Sequence, residues 1–233
     1  MTQSTVQLAI ETTSGAGEIC LGAGGEILAV RTLPQVRRHN VELVPTLDEL
    51  FNELQLPRAS LTHAYISLGP GSFTGLRIGV ATAKILAATL GVKIAGVPTL
   101  DALTPNVSAA FTHAVVCLNA KRGTTYAAVF QRTGETFADC REITPRGVYE
   151  IEALLASAPP GAAVLGEVIG QKYSEAASRC GLTLLPEAQA RVRSEVVYHL
   201  GQAAAAAGRL TEAAALAPIY GREPEAVRLW QKR

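Results

Sequence analysis

The stretch AYISLGPGSFTGLRIGVATAKILAATLG, residues 64–91, decides how the chain is read. Ala64-Tyr65-Ile66-Ser67-Leu68 is a short apolar segment of strand type. Gly69-Pro70-Gly71-Ser72-Phe73-Thr74-Gly75 cannot continue it, because glycine and proline punctuate regular structure. The residues from Leu76 to Leu90 then repeat apolar side chains at helical spacing, and Gly91 supplies the stop. A second strand, Lys93 to Val97, follows at once. Strand, turn, helix, strand is the unit from which α/β folds are assembled.

Working outward, Val6 to Ile10 alternates as a strand and ends in Glu11-Thr12-Thr13-Ser14-Gly15. Glu18 to Gly22 and Glu26 to Val30 read as further strands around the turn Gly24-Gly25. A helix is predicted from His39 to Leu54, with Leu43, Leu47, Leu50 and Leu54 on one face and Val44 and Phe51 beside them. Thr99 stands where a helix N-cap belongs. After Pro105 the pattern restarts: strands at 114–119, 125–130 and 139–143, a helix at 146–156, a strand at 163–166, a helix at 169–178, a strand at 182–185 and an Ala-rich helix at 194–207. The expectation is α/β with two similar lobes, 1–104 and 105–233, mixed sheets flanked by helices, and a late helix packing back on the first lobe.

Composition removes several classes of function. The 233 residues carry 21 Lys+Arg against 20 Asp+Glu, a net charge of +1, and 48% are hydrophobic. No basic excess is available to neutralise a run of phosphates, which disfavours a stand-alone nucleic-acid binder. The apolar run from Ile78 to Val92 contains Lys84 and is too short to cross a bilayer, and MTQSTVQLAI has no signal-peptide character. Cys20, Cys117, Cys140 and Cys180 are far apart, with no C-x-x-C pair, and read as reduced thiols. His39 has Leu43 where a second helical metal ligand would stand, and His63, His113 and His199 have no ligand at short spacing, so no metal is expected.

The glycine-rich segment supports two readings. Its glycines permit close backbone approach to a ligand, and the helix start presents free N–H groups and a positive dipole end. Gly69, Gly71, Ser72, Thr74 and Arg77 would then form an anion or nucleotide site; Arg77 in the first turn opposes the dipole and asks for an anion nearby. The glycine spacing matches neither the P-loop nor the dinucleotide fingerprint. The other reading is a strand-to-helix turn with Ser72 or Thr74 as N-cap. Gly79, Ala83 and Ala87 lie four apart on one helix face and would let another helix approach closely. With the broad apolar face of the 39–54 helix, this suggests a surface for another chain, comprising Val44, Leu47, Phe51, Leu76, Gly79, Val80, Ala83 and Ala87. Ala83→Glu is expected to break that contact. Glu11, Thr12 and Asn119 mark two strand ends that would face a cleft. Only one of those ends carries a carboxylate, and an amide supplies neither charge nor a base.

Residues 68–90 resemble the signature of the bacterial TsaB family, and LAIETTSGAGEICLG, RRHNVELVPTLDELF, GVPTLDAL, LNAKRGTTYAAVF and PIYGREPEA resemble its other blocks in order. The resemblance implies the two-lobed actin-like ATPase, or ribonuclease H-like, fold. It implies a cytoplasmic, non-catalytic subunit that binds and activates the paralogous TsaD, which forms threonylcarbamoyladenosine beside the tRNA anticodon. The ATPase TsaE joins the assembly, and tRNA is met through the complex. The resemblance also implies that the first two long helices form the subunit interface and that without the partner the same surface pairs two copies of the chain. No cofactor is implied, weak nucleotide binding at a subunit interface being left open. The sequence departs from the family at Glu11-Thr12-Thr13, usually Asp-Thr-Ser, at Asn119-Ala120-Lys121, usually Asp-Ala-Arg, and at His39-Asn40-Glu42, usually His-Ser-Glu. Loss of both Asp positions argues against ATP hydrolysis by this chain. The alternatives are an ATPase or metallopeptidase-like enzyme acting alone, and a small-ligand module using the glycine-rich turn.

Overall fold

Alternating apolar residues put Val6–Glu11 (β1), Glu18–Ala23 (β2) and Glu26–Thr32 (β3) into two successive antiparallel pairings. The computed structural model describes residues 5–33, 39–121, 123–166 and 171–221. Leu61–Gly69 (β4) lies parallel to β1, and Lys93–Pro98 (β5) parallel to β4, giving the order β3-β2-β1-β4-β5. The carboxyl ends of β1, β4 and β5 therefore share one edge. His39–Glu53 (α1) follows β3, and Phe73–Leu90 (α2) makes the crossover from β4 to β5. Both pack on one sheet face, α1 through Leu43, Leu47, Leu50 and Phe51 against Val6, Leu8, Ile10, Ile19 and Leu21.

The opposite face belongs to a helix from far along the chain, Ser194–Ala206 (α6), which lies over β1, β4 and β5. Strand alternation puts Gln7 and Tyr65 on that face and Leu8, Ile10 and Ile66 on the other. Tyr198 Oη donates to Gln7 Oε1 at 2.7 Å. Glu18 Oε2 accepts from Ser194 N at 2.8 Å and Ser194 Oγ at 3.0 Å, so a β2 carboxylate caps a helix that has no side-chain cap of its own. The segment after α6 meets the free edge of β5, where Thr211 N donates to Ile94 O at 2.8 Å, and reaches the end of β4, where Ile219 N donates to Leu68 O at 2.7 Å.

The second unit holds Thr99–Leu103 (α3) only by its last residue. It then builds its sheet from His113–Lys121 (β6), Thr124–Arg132 (β7), Cys140–Glu150 (β8), Ala163–Gly166 (β9) and Thr183–Leu184 (β10). The order is β10-β9-β6-β7-β8, with two antiparallel hairpins followed by parallel strands. Ile151–Ser157 (α4) and Gln171–Arg179 (α5) bury Ile151, Leu154, Leu155 and Ala177 against Val115, Val129 and Val164. Both sheets follow one topology, and the chain has the two-lobed actin-like fold.

Three sequence expectations change. Residues 5–102 and 192–219 form one unit and 103–191 the other; the continuous second lobe expected at 105–233 is therefore interrupted by 192–219, and α6 is the late helix that lies on the first sheet. The helix predicted at 146–156 begins only at Ile151; β8 runs on to Glu150, pairing Val148 with Tyr126 and Tyr149 with Thr125. Pro145 and Gly147 are poor helix residues, and the β7 ladder takes the β-favouring Val148 and Tyr149. Thr99 starts α3, but its buried hydroxyl has no hydrogen-bond partner and caps nothing. One described helix, α2, is long and apolar enough to cross a membrane by length and composition alone; in the fold it packs on β4 and β5.

Candidate functional site

The turn after β1 and the start of α2 are built as one piece. Ser72 caps α2, its Oγ accepting from Gly75 N at 3.3 Å, so Ser72 rather than Thr74 is the N-cap. Ser72 N donates to Thr13 O at 2.7 Å, and Thr12 Oγ1 donates to Gly75 O at 2.8 Å. Gly71, Gly75 and Gly79 recur every four residues and present a flat backbone strip to the turn. A Cβ on Gly71 would sit 2.5 Å from Thr13 Cβ, and one on Gly79 2.7 Å from Thr12 Oγ1. A Cβ on Gly75 would overlap the Thr12 carbonyl oxygen. The close approach that these glycines permit is thus made by Thr12 and Thr13. Gly69, with φ +103°, turns the loop beneath Leu76 and Ile219.

Glu11 ends β1 and is 0% exposed. Its Oε1 accepts from Thr13 Oγ1 at 2.5 Å, Thr13 N at 2.6 Å and Ser14 N at 3.0 Å. Its Oε2 is buried without a hydrogen-bond partner. The neighbouring Ser67 hydroxyl directs its proton to Ile10 O at 3.4 Å. Burial pushes the Glu11 carboxyl above the usual glutamate range, against the opposing pull of Ser67, Thr13 and Ser14. Glu11 and Thr12 lie in the first unit; Asn119 lies on β6 of the second, opposite Thr125, and its side chain is outside the described residues. Among the described residues no group of three or more His, Cys, Asp or Glu side chains is placed to share a metal ion. Cys20 and Cys117 are buried, and burial pushes their thiols up to about 12.

The surface expected for another chain is mostly interior. Leu47 and Phe51 belong to the core under α1. Leu76 is buried, and Gly79 meets Thr12. Val80 and Ala83 pack with Ile66, Ile94 and Leu216, and Ala87 lies against the same cluster. An Ala83→Glu exchange therefore tests folding before it tests association. Of the eight residues only Val44 is freely exposed. The reason is geometric: one sheet face and the segment around Leu216 cover the sides of the helices that the spacing had assigned to a partner.

The apolar residues left outside are Val41 (57% exposed) and Val44 (60%) on α1, with Phe73 (41%), Ile85 (61%) and Leu90 (43%) on α2. Phe73, Arg77, Ala81 and Ile85 succeed one another at four-residue spacing on the exposed side of α2. The Arg77 guanidinium stacks on the Phe73 ring, 3.9 Å from its centroid. So Arg77, taken from sequence as a candidate anion ligand, is placed on this outer stripe with an aromatic partner. Val41, Phe73, Ile85 and Leu90 were missed, although a helix apolar on every side signals a face beyond the one that a single sheet covers.

The sequence profile of the family TsaD, tRNA N6-adenosine threonylcarbamoyltransferase, matches residues 26–224. Several relatives are named tRNA threonylcarbamoyladenosine biosynthesis protein TsaB. That of Bacillus subtilis is 31% identical over 124 residues, 53% of this chain and 54% of the relative. The chain belongs to this family, on its TsaB branch. The TsaB protein of Escherichia coli is 28% identical over 127 residues, 54% of each chain. The chain spans about half the length of the curated relatives it matches. The solved structure of YeaZ from Pseudomonas aeruginosa superimposes with a TM-score of 0.74 at 21% identity, covering 93% of this chain and 99% of that one. The glycine-rich block that carried the TsaB resemblance is, in the fold, the strip that fastens α2 to the β1 turn.

Proposed function

We propose that this chain is a cytoplasmic accessory subunit in tRNA threonylcarbamoyladenosine formation, without catalysis of its own, and that it binds and activates a TsaD subunit. The observation that carries this reading is the uncovered apolar face of α1 and α2, with Val41, Val44 and Ile85 each more than half exposed. Apolar side chains grouped on adjacent helices mark protein interaction sites more often than they occur by accident. The names of the TsaB relatives support the pathway. Glu11 supports the accessory role, because a fully buried carboxyl folded onto its own turn is poorly placed to serve as a base or to meet a metal-bound nucleotide.

In this reading TsaE and tRNA are met through the assembly, and the chain needs no cofactor. Without TsaD the same face pairs two copies about a two-fold axis. The test is reconstitution: tRNA modification by the remaining components is measured with and without this chain, together with co-elution with TsaD at micromolar concentration. Loss of modified tRNA on omission and co-elution are expected. Undiminished modification and separate elution would end the proposal. Turnover of ATP by the purified chain would move it to the enzyme class.

A further inference from the structure

Each of the two sheets ends in two edge strands, and an edge strand offers unpaired N–H and C=O groups to any other chain. Three of these four edges are blunted. The β5 edge is met by Thr211, which bridges to Ile94. β10 is only two residues long. β8 contains Pro145 and shifts register against β7. The fourth edge, β3, has seven residues, no proline and the apolar run Ile27-Leu28-Ala29-Val30. One register shift sets Leu28 apart from the ladder, and Ala29 to Thr32 pair regularly with β2. Among the described residues no strand lies on the outer side of β3.

The register fixes which groups face outward. Leu33 N donates to Gly17 O at 2.8 Å. Bonded and non-bonded pairs alternate along an antiparallel ladder, so Arg31 and Ile19 form the next bonded pair. Val30 and Thr32 then turn their N–H and C=O groups away from β2. The outward Val30 oxygen is occupied: Arg31 Nη1 donates to it at 3.1 Å, while Arg31 Nη2 reaches Glu53 Oε2 on α1 at 2.5 Å. The guanidinium lies across the open edge and is tied at its far end to a helix. Both side chains are about half exposed, so the ion pair adds little to stability. A contact that stabilises little, yet fills an outward carbonyl, asks for a different role.

We propose that Arg31, tethered by Glu53, guards the β3 edge against a second copy of this chain. The occupant follows from the strand itself. Antiparallel self-pairing matches each outward N–H with an outward C=O of the other copy. A two-fold pairing centred on Val30 sets Arg31 of each copy opposite Ala29 of the other, with both guanidiniums on one face of the ribbon. Like charges so placed are destabilising, and the Val30 oxygen loses its present donor. Arg31 is the charged side chain of the regular stretch Ala29–Thr32. With it removed, that stretch and the apolar run before it fit a copy of themselves. The guard is independent of the subunit role and of the exposed helix face.

The test is sedimentation velocity of the full chain from low to high micromolar concentration. Every chain carries Ile85→Glu, so that any pairing through the helix face is part of the baseline. Arg31→Ala is expected to add a heavier species that grows with concentration, with hydrogen exchange at the Val30 and Thr32 amides slowed in step. Arg31→Lys keeps a charge on the edge and is expected to stay at the baseline. Adding Thr32→Pro to Arg31→Ala removes an outward N–H that β2 does not use, and is expected to abolish the heavier species. Arg31→Ala sedimenting as the baseline would overturn the proposal. So would a heavier species that survives Thr32→Pro or leaves both amides exchanging as before. Should Arg31→Ala fold poorly, Arg31→Met, which keeps an unbranched stem without charge or donor, takes its place under the same readouts and the same outcomes.

Discussion

The inner and outer sides of α2 both carry apolar residues in sequence, yet only the inner side is covered by the fold. Inside, Gly75 and Gly79 meet the Thr12 backbone and hydroxyl with no room for a Cβ, and Val80 and Ala83 complete a core with Ile66 and Ile94. Outside, Phe73, Arg77, Ala81 and Ile85 stay exposed, with the Arg77 guanidinium stacked on the Phe73 ring. Small residues on a helix state that something comes close. They do not state whether it is the helix's own sheet or another molecule. Here the close approach is internal, and the side left exposed carries the larger residues Phe73, Arg77 and Ile85.

The contrast breaks most sharply at Gly75. Gly75→Ala drives a Cβ into the Thr12 carbonyl, which is backbone and has no flexible tip to yield, so a loss of about 3 kcal/mol or more is expected. Thermal or urea unfolding measures it, and an unchanged midpoint would show that the inner face has slack. The far side of the same sheet supplies the next test. Glu18→Ala leaves the Ser194 amide and hydroxyl without their acceptor and should lower stability by about 1–3 kcal/mol, read by the same unfolding experiment. An effect confined to a few tenths would mean that α6 docks by packing alone.

A smaller effect is expected from protons. The folded state holds the Glu11 carboxyl above its ordinary value, so folding favours the protonated form. The associated stability is complete below the unfolded-state pKa and fades as pH rises through the higher folded-state one. Glu11→Gln should flatten that part of the stability–pH curve. A wild-type slope persisting in the variant would assign it to another group. The smallest change in stability is expected on the outer face: Ile85→Glu should shift unfolding by no more than about 0.5 kcal/mol while abolishing co-elution with TsaD. Intact association by size-exclusion chromatography would move the interface off this stripe.

Local signals were enough for much of the first unit. The alternation of Val6 to Ile10 and the helical repeat of Leu43, Leu47 and Leu50 each depend on neighbours within a few residues. They were legible for that reason. The helix forecast at 146–156 failed because a ladder partner, Tyr126 against Val148, lies some twenty residues away in sequence. The docking residues were misassigned for a related reason. Periodicity identifies an apolar side but cannot name what covers it.

By itself, then, the amino-acid order determined the α/β class, the placing of the strands around the glycine-rich turn, and membership of the TsaB branch through that turn. Tertiary structure alone decided that Leu216 closes over Val80 and Ala83. It also decided that Glu11 faces its own turn and that Ile85 remains outside. Such outcomes depend on contacts between segments distant in the chain. No local pattern encodes them, because burial is a property of the neighbour as much as of the residue.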